Sequence, residues 1–274
     1  MARSKNQAAK KRRLGLQNLE TRKMMAGDVS VDIDISGSRI DVELTGDGAA
    51  NGVEVRQIND TLRITGLTQG GAPTTINGSS SQVNIPTKLF TGGSWRTLDD
   101  LTIKLGNGDD QVVIRDVNMQ HHSHSDLKIE TGAGNDRITM LDVNVLDDMY
   151  LIDHSSDDGN DYWWMRNVDV GDHLSVNMGD GADTFVASYT DARSLNIDSG
   201  RHNDYVSLFG IDVDNLDVEL RSGNDTLRID ASDADDAHLD GGSNNDTLDV
   251  NGTGFYANAF DAVLASEDFE TIYA

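Results

Sequence analysis

The stretch Gly132–Met140 reads GAGNDRITM, and near-copies of it recur down the chain. GNGDDQVVI begins at Gly106, DDGNDYWWM at Asp157 and GDGADTFVA at Gly179. Looser copies follow as GRHNDYVSL from Gly200, RSGNDTLRI from Arg221 and GSNNDTLDV from Gly242. The aligned acids are Asp110, Asp136, Asp161, Asp183, Asp204, Asp225 and Asp246, spaced by 26, 25, 22, 21, 21 and 21 residues. A repeat of this length is one supersecondary unit that buries its apolar face only by stacking on its neighbours.

Counting from each aspartate gives the shape of the unit. Positions +2 and +4 are Val112/Ile114, Ile138/Met140, Trp163/Met165, Phe185/Ala187, Val206/Leu208, Leu227/Ile229 and Leu248/Val250, all apolar. Positions +7 and +9 form a weaker set, from Val117/Met119 to Ile211/Val213, Ser232/Ala234 and Thr253/Phe255. Positions −9 and −7 run from Leu101/Ile103 to Ala237/Leu239, with a break of phase at Ile152/His154. Each pair alternates as a strand with one buried face does. Three short strands per coil of 21–26 residues predict an all-β, right-handed parallel β-helix, a three-sided solenoid. Nine or ten coils rising ~4.8 Å each would make a rod of roughly 45 Å.

Composition narrows the partners. The chain has 274 residues, no cysteine and a net charge of −25. Residues 1–23 carry a net +7, so the remainder carries −32, and Asp outnumbers Glu 40 to 7. Helices favour Glu over Asp, whereas turns and oxygen-ligand cation sites favour Asp. Duplex nucleic acid needs a basic face and is not an expected partner of the body. No apolar run reaches the ~18–20 residues of a membrane span. The expected organisation is a basic sorting segment over 1–28, irregular coils and a cap over 29–100, and the regular helix over 101–274. Asn59-Asp60, followed by Leu62 and Ile64, reads as an early degenerate copy of the repeat.

Leu19–Ala26, LETRKMMA, follows a basic stretch and resembles the LEPR-XLL motif of planctomycete exported proteins, with Thr21 where that family has proline. The resemblance implies export to the cell surface or exterior. The turns resemble the calcium-binding nonapeptide GGxGxDxUx of the repeats-in-toxin (hemolysin-type) family over residues 106–250. The pattern G-x-G-x-D-x-apolar is complete at Gly106–Val112, Gly132–Ile138 and Gly179–Phe185. That likeness implies Ca²⁺ held by Gly106, Gly108, Asp110, Gly132, Gly134, Asp136, Gly159, Asp161, Gly179, Gly181, Asp183, Asp204, Gly223, Asp225 and Asp246. His202 and Asn244 stand at the second glycine in two copies, and the motif occurs once per coil, so calcium turns would line one edge. The alternative is a metal-free helix whose Asn and Asp side chains bond backbone amides in the turns.

Three weaker features complete the expectations. The segments 120–126, containing HHSHS, and 146–151 read as insertions at one corner of the tube, one coil apart. His121, His122 and His124 with Asp126 offer ligands for zinc, nickel or copper, or else belong to a solvated loop. Tyr162 and Trp164 should point outward, where an aromatic pair can stack on a sugar. The combined expectation is an exported calcium-binding β-helix with a structural or adhesive role, its partners calcium ions and a surface polysaccharide or surface protein. The runner-up is a carbohydrate-active enzyme, a polysaccharide lyase or hydrolase, for which no nucleophile motif is present and no catalytic residue is named.

Overall fold

The computed structural model describes residues 27–69, 71–79, 82–153, 159–251, 268–269 and 271–273. The basic segment up to residue 26 lies outside them, as do Thr253 and Phe255. Among the described residues there is no helix; parallel coils stack into a β-solenoid of about seven turns.

Three faces run the length of the stack. On the first, Val42, Leu101, Leu127, Met149, Leu174, Leu195, Leu216 and Ala237 lie in register, each paired in parallel with the next. On the second the column is Val53, Val112, Ile138, Trp163, Phe185, Val206, Leu227, Leu248 and Ile272. On the third it is Val117, Val143, Val168, Thr190 and Ile211. All fourteen side chains at +2 and +4 are buried. Trp163 and Phe185 are the largest fully buried ones, so the middle coils carry the bulkiest core.

The corner between the second and third faces turns on one residue at +6. Asp116, Asp142, Asn167, Tyr189, Gly210 and Ala231 all take φ between 48° and 61° there. Asp and Asn tolerate this left-handed region, whereas Tyr189 and Ala231 adopt it at a cost of about 1–2 kcal/mol each.

Two expectations change. The pair Asn59-Asp60 is not a repeat copy: it forms the turn of an antiparallel hairpin between Gly52–Ile58 and Thr61–Gly66, which Val83–Pro86 extends. The true first copy is GDGAANGV from Gly46, with buried Asn51 in the place of the aspartate and Gly52 paired with Gln111. A second hairpin, Asp28–Ser36 with Arg39–Gly46, extends the first face, Arg39–Gly46 pairing in parallel with the coil of Leu101. Residues counted as coils by spacing thus form antiparallel strands over the N-terminal end, leaving about seven turns rather than nine or ten. These strands cover a sheet edge that would otherwise recruit another chain.

The third coil also differs. Its first-face strand is Met149–Ile152, with Met149 and Leu151 in the columns of Leu127 and Ile129, so Ile152 does not take the expected core position; His154 lies outside the described residues. Three residues, 146–148, separate Val145 from Met149, as 171–173 separate Val170 from Leu174. Segment 146–151 is therefore no insertion. The extra length falls after Asp153 and before Gly159, a span that lies outside the described residues. The HHSHS insertion does bulge between the third and first faces, joining Gln111–Met119 to Leu127–Ala133.

Candidate metal centre along the acidic corner

The corner between the first and second faces carries the Gly/Asp turns. At −4, Gly106, Gly132, Gly179, Gly200, Arg221 and Gly242 all have φ between 65° and 93°. At −2, the two non-glycine residues adopt the left-handed region too, His202 at 82° and Asn244 at 101°. Space constrains the remaining glycines. A Cβ on Gly134 would lie 2.2 Å from the Gly108 carbonyl oxygen, and one on Gly159 2.0 Å from that of Gly134. On Gly181 it would lie 1.7 Å from the Gly159 oxygen, so carbonyls of each turn point at the turn above. Gly181→Ala adds this clash to a φ of 156° and is expected to cost about 3 kcal/mol or more in a denaturant melt. Gly48→Ala, in open space, should change stability by less than about 0.5 kcal/mol.

The seven motif aspartates do not splay outward. They are 1–3 % exposed and form a ladder inside the corner. Asp110 Oδ1 accepts the Asn51 amide at 2.6 Å. Asp136 Oδ1 accepts the Asp110 amide at 2.7 Å, and Asp161 Oδ1 the Asp136 amide at 2.8 Å. Asp183, Asp204, Asp225 and Asp246 continue the series at 2.7–2.8 Å. One oxygen of each carboxylate thus does what the metal-free alternative requires. In four of them the other oxygen does not: Oδ2 of Asp110, Asp161, Asp183 and Asp225 is buried without a hydrogen-bond partner.

An ionised carboxylate in such a place is disfavoured by lost hydration. Burial, offset in part by the amide bond and reinforced by neighbouring aspartates, pushes Asp110 up to about 8 and Asp161 to about 9. Burial likewise raises Asp183 to about 7, Asp204 to about 8 and Asp225 to about 6. Asp110, Asp161 and Asp204 therefore hold a proton at neutral pH unless a cation meets them. Stacked carboxylate and carbonyl oxygens are the hard donors that Ca²⁺ takes six to eight at a time, so the residues present fit that ion.

Outside this ladder an amide ladder runs through the −1 positions. Asn135 Oδ1 accepts the Asn160 amide, Asn160 Oδ1 that of Ala182, and Asn224 Oδ1 that of Asn245. A third ladder follows the corner of the histidine insertion, where Asp100, Asp126 and Asp148 accept the amides of Asp126, Asp148 and His173 at 3.1 Å. Two further clusters lie along it, Asp41/Asp99/Asp100, in which Asp99 is buried, and the half-buried to exposed Asp148/Asp172/His173. Arg39 pairs with Asp99 at 3.1 Å and Arg193 with Asp172 at 2.8 Å, so each group has one cationic partner of its own.

The HHSHS histidines diverge. His122 Nε2 meets Thr97 Oγ1 at 2.7 Å and the Ser38 carbonyl at 3.0 Å, while His124 Nδ1 meets Asp147 at 3.1 Å. Asp126 is engaged in its ladder, so these side chains do not gather around one transition metal. Trp163 is buried, as alternation requires, and Tyr162 is 37 % exposed with Trp164 half-buried. The Arg137 guanidinium sits 4.6 Å over the Tyr162 ring and occupies a face that a sugar would need. An open-sided depression of about 320 Å³ lies beside Asp180, Asp198, Arg201 and Arg221. Its arginines are tied down, Arg201 to Asp180 at 3.5 Å and Arg221 to Asp198 and Glu219.

Fold and corner together define an all-β solenoid with an internal acidic seam. Residues 10–29 match the family model described as planctomycete extracellular, which points to a planctomycete-type export signal. The match includes LETRKMMA. No repeats-in-toxin family model matches the array. No curated protein and no solved structure matches the chain.

Proposed function

We propose that the chain is an exported, calcium-stabilised solenoid with a structural or adhesive role at the cell surface. The observation that carries this reading is the column of buried aspartates, in which Oδ2 of Asp110, Asp161, Asp183 and Asp225 lacks a hydrogen-bond partner. Protons can satisfy such a column only by giving up its charge, whereas calcium satisfies charge and oxygen valence together. Calcium would bind where consecutive turns stack, using the motif aspartates and turn carbonyls, and would tie each coil to the next. Export delivers the chain to where the seam can fill, and the exposed acidic surface suits a calcium-bridged polysaccharide or surface protein.

The paired arginines beside Asp198 favour a binding or structural role over a lyase, which needs a free base. Calorimetric titration of the chelator-stripped full chain at pH 8 tests the proposal. Several calcium sites are expected, and an absence of binding heat up to millimolar calcium would overturn it.

A further inference from the structure

The inward column where the first face enters the acidic corner reads Leu105, Thr131, Asp153, Met178, Ser199 and Leu220, each 0–2 % exposed. Register fixes the stacking. Glu130 pairs with Ile152, Ile152 with Asn177 and Asn177 with Asp198, so the residues that follow them lie over one another. The amides agree: Asp153 donates to the Asn177 carbonyl at 2.8 Å, and Met178 donates to that of Asp198 at 3.0 Å. A carboxylate thus occupies a position that its neighbouring coils fill with apolar or small hydroxyl side chains. Burying a charge there is costly unless a counter-charge is present.

Asp153 does not stand alone. One oxygen each from Asp136, Asp153 and Asp161 lie within 4.8 Å of one another, and all three residues are 2 % exposed. Ca²⁺ binds oxygens at ~2.3–2.6 Å, so its ligands span up to about 5 Å across the ion. The group has that size. A second observation points the same way: Oδ2 of Asp161, one of the three residues, is buried without a hydrogen-bond partner. Thr131 Oγ1, one coil earlier in the column of Asp153, is also buried and unpartnered. Gly179 leaves room for the extra carboxylate, since a Cβ there would lie 2.5 Å from Asp153 Oδ2.

We propose that Asp153 joins Asp136 and Asp161 in a three-carboxylate calcium site, set apart from the other gaps of the seam by its additional charged ligand. The site rests on the calcium reading above and deepens it. Among the described residues, no other gap brings a third carboxylate this close to the aspartates of its two turns; here the third coil does. A third carboxylate strengthens the hold on a divalent cation, so this site should fill first and empty last.

The test is calcium titration of the chelator-stripped full chain at pH 8, with a competing chelator to resolve the tightest class. The unmodified chain should show one site at least 10-fold tighter than the rest. Asp153→Leu, which copies Leu105 and Leu220, and Asp153→Ser, which copies Ser199, should each lose that class and keep the others. Asp153→Leu should also melt higher than the unmodified chain in chelator, because it removes a buried charge. An unmodified chain with a single affinity class overturns the site, as does an unchanged titration in whichever variant folds. Both results leave the calcium seam standing, whereas absence of any calcium binding removes seam and site together.

Discussion

At pH 8, chelator-treated protein is expected to gain about 15 °C in melting temperature when millimolar calcium is added. A site occupied at 100 times its dissociation constant stabilises the fold by ~2.7 kcal/mol. The seven motif aspartates leave six gaps between turns. Filling even three of them therefore contributes about 8 kcal/mol, and each kcal/mol moves the midpoint of a domain this size by ~2–4 °C. The effect should be specific in ion and position. Magnesium, which demands shorter bonds in a stricter octahedron, should reproduce little of it. Asp204→Asn should remove part of the shift, since the amide oxygen can still accept the Asp183 N–H bond but brings no charge. Thermal melts by circular dichroism in calcium, magnesium and chelator read all three, and superimposable curves would sink the seam as a metal centre.

In chelator the pH dependence should run opposite to that of most acidic proteins. Asp110, Asp161, Asp183, Asp204 and Asp225 titrate in the fold at about 6 to 9 instead of near 3.8, chiefly because of burial. Between those limits the folded chain binds more protons than the unfolded one, so stability falls as pH rises. The metal-free protein should therefore melt at least about 5 °C higher at pH 5 than at pH 8. Calcium reverses the order. It requires ionised carboxylates, so its stabilisation is largest at pH 8 and fades on acidification as protons compete. A pair of melting-temperature profiles from pH 5 to 9 should cross, and parallel profiles would exclude competition between proton and metal for these carboxylates.

The solenoid was legible because its core repeats in register. Pairs such as Phe185/Ala187 and Val206/Leu208 sit at fixed distances from an aspartate, and parallel stacking places equal positions over one another. The inward direction of the aspartates was available from the same counting. Position 0 shares its parity with +2 and +4, and alternation sends all three to one side of the backbone. Less could be read where length, not pattern, varies. Counting back from Asp161 crossed the extra residues after Asp153, which moved the apparent columns from Met149 and Leu151 to Ile152 and His154 and hid the third carboxylate. Asn51 was missed because an asparagine replaced the register mark 59 residues before Asp110, with hairpins between. The +6 corner had only a broken signature, since Asp116, Asp142, Asn167 and Gly210 suit the left-handed angle whereas Tyr189 and Ala231, which share it, do not.

The ladder has a polarity. Every motif carboxylate reaches back to the amide of the coil before its own, from Asp110 on Asn51 to Asp246 on Asp225. A coil is thus closed not by its own residues but by the arrival of its successor, in the manner of a one-way zip. Polymerisation of order along the rod then has a built-in sense, from the hairpin-covered beginning toward the end. A chain leaving the cell N-terminus first would tighten behind itself, each newly delivered aspartate locking the turn already outside.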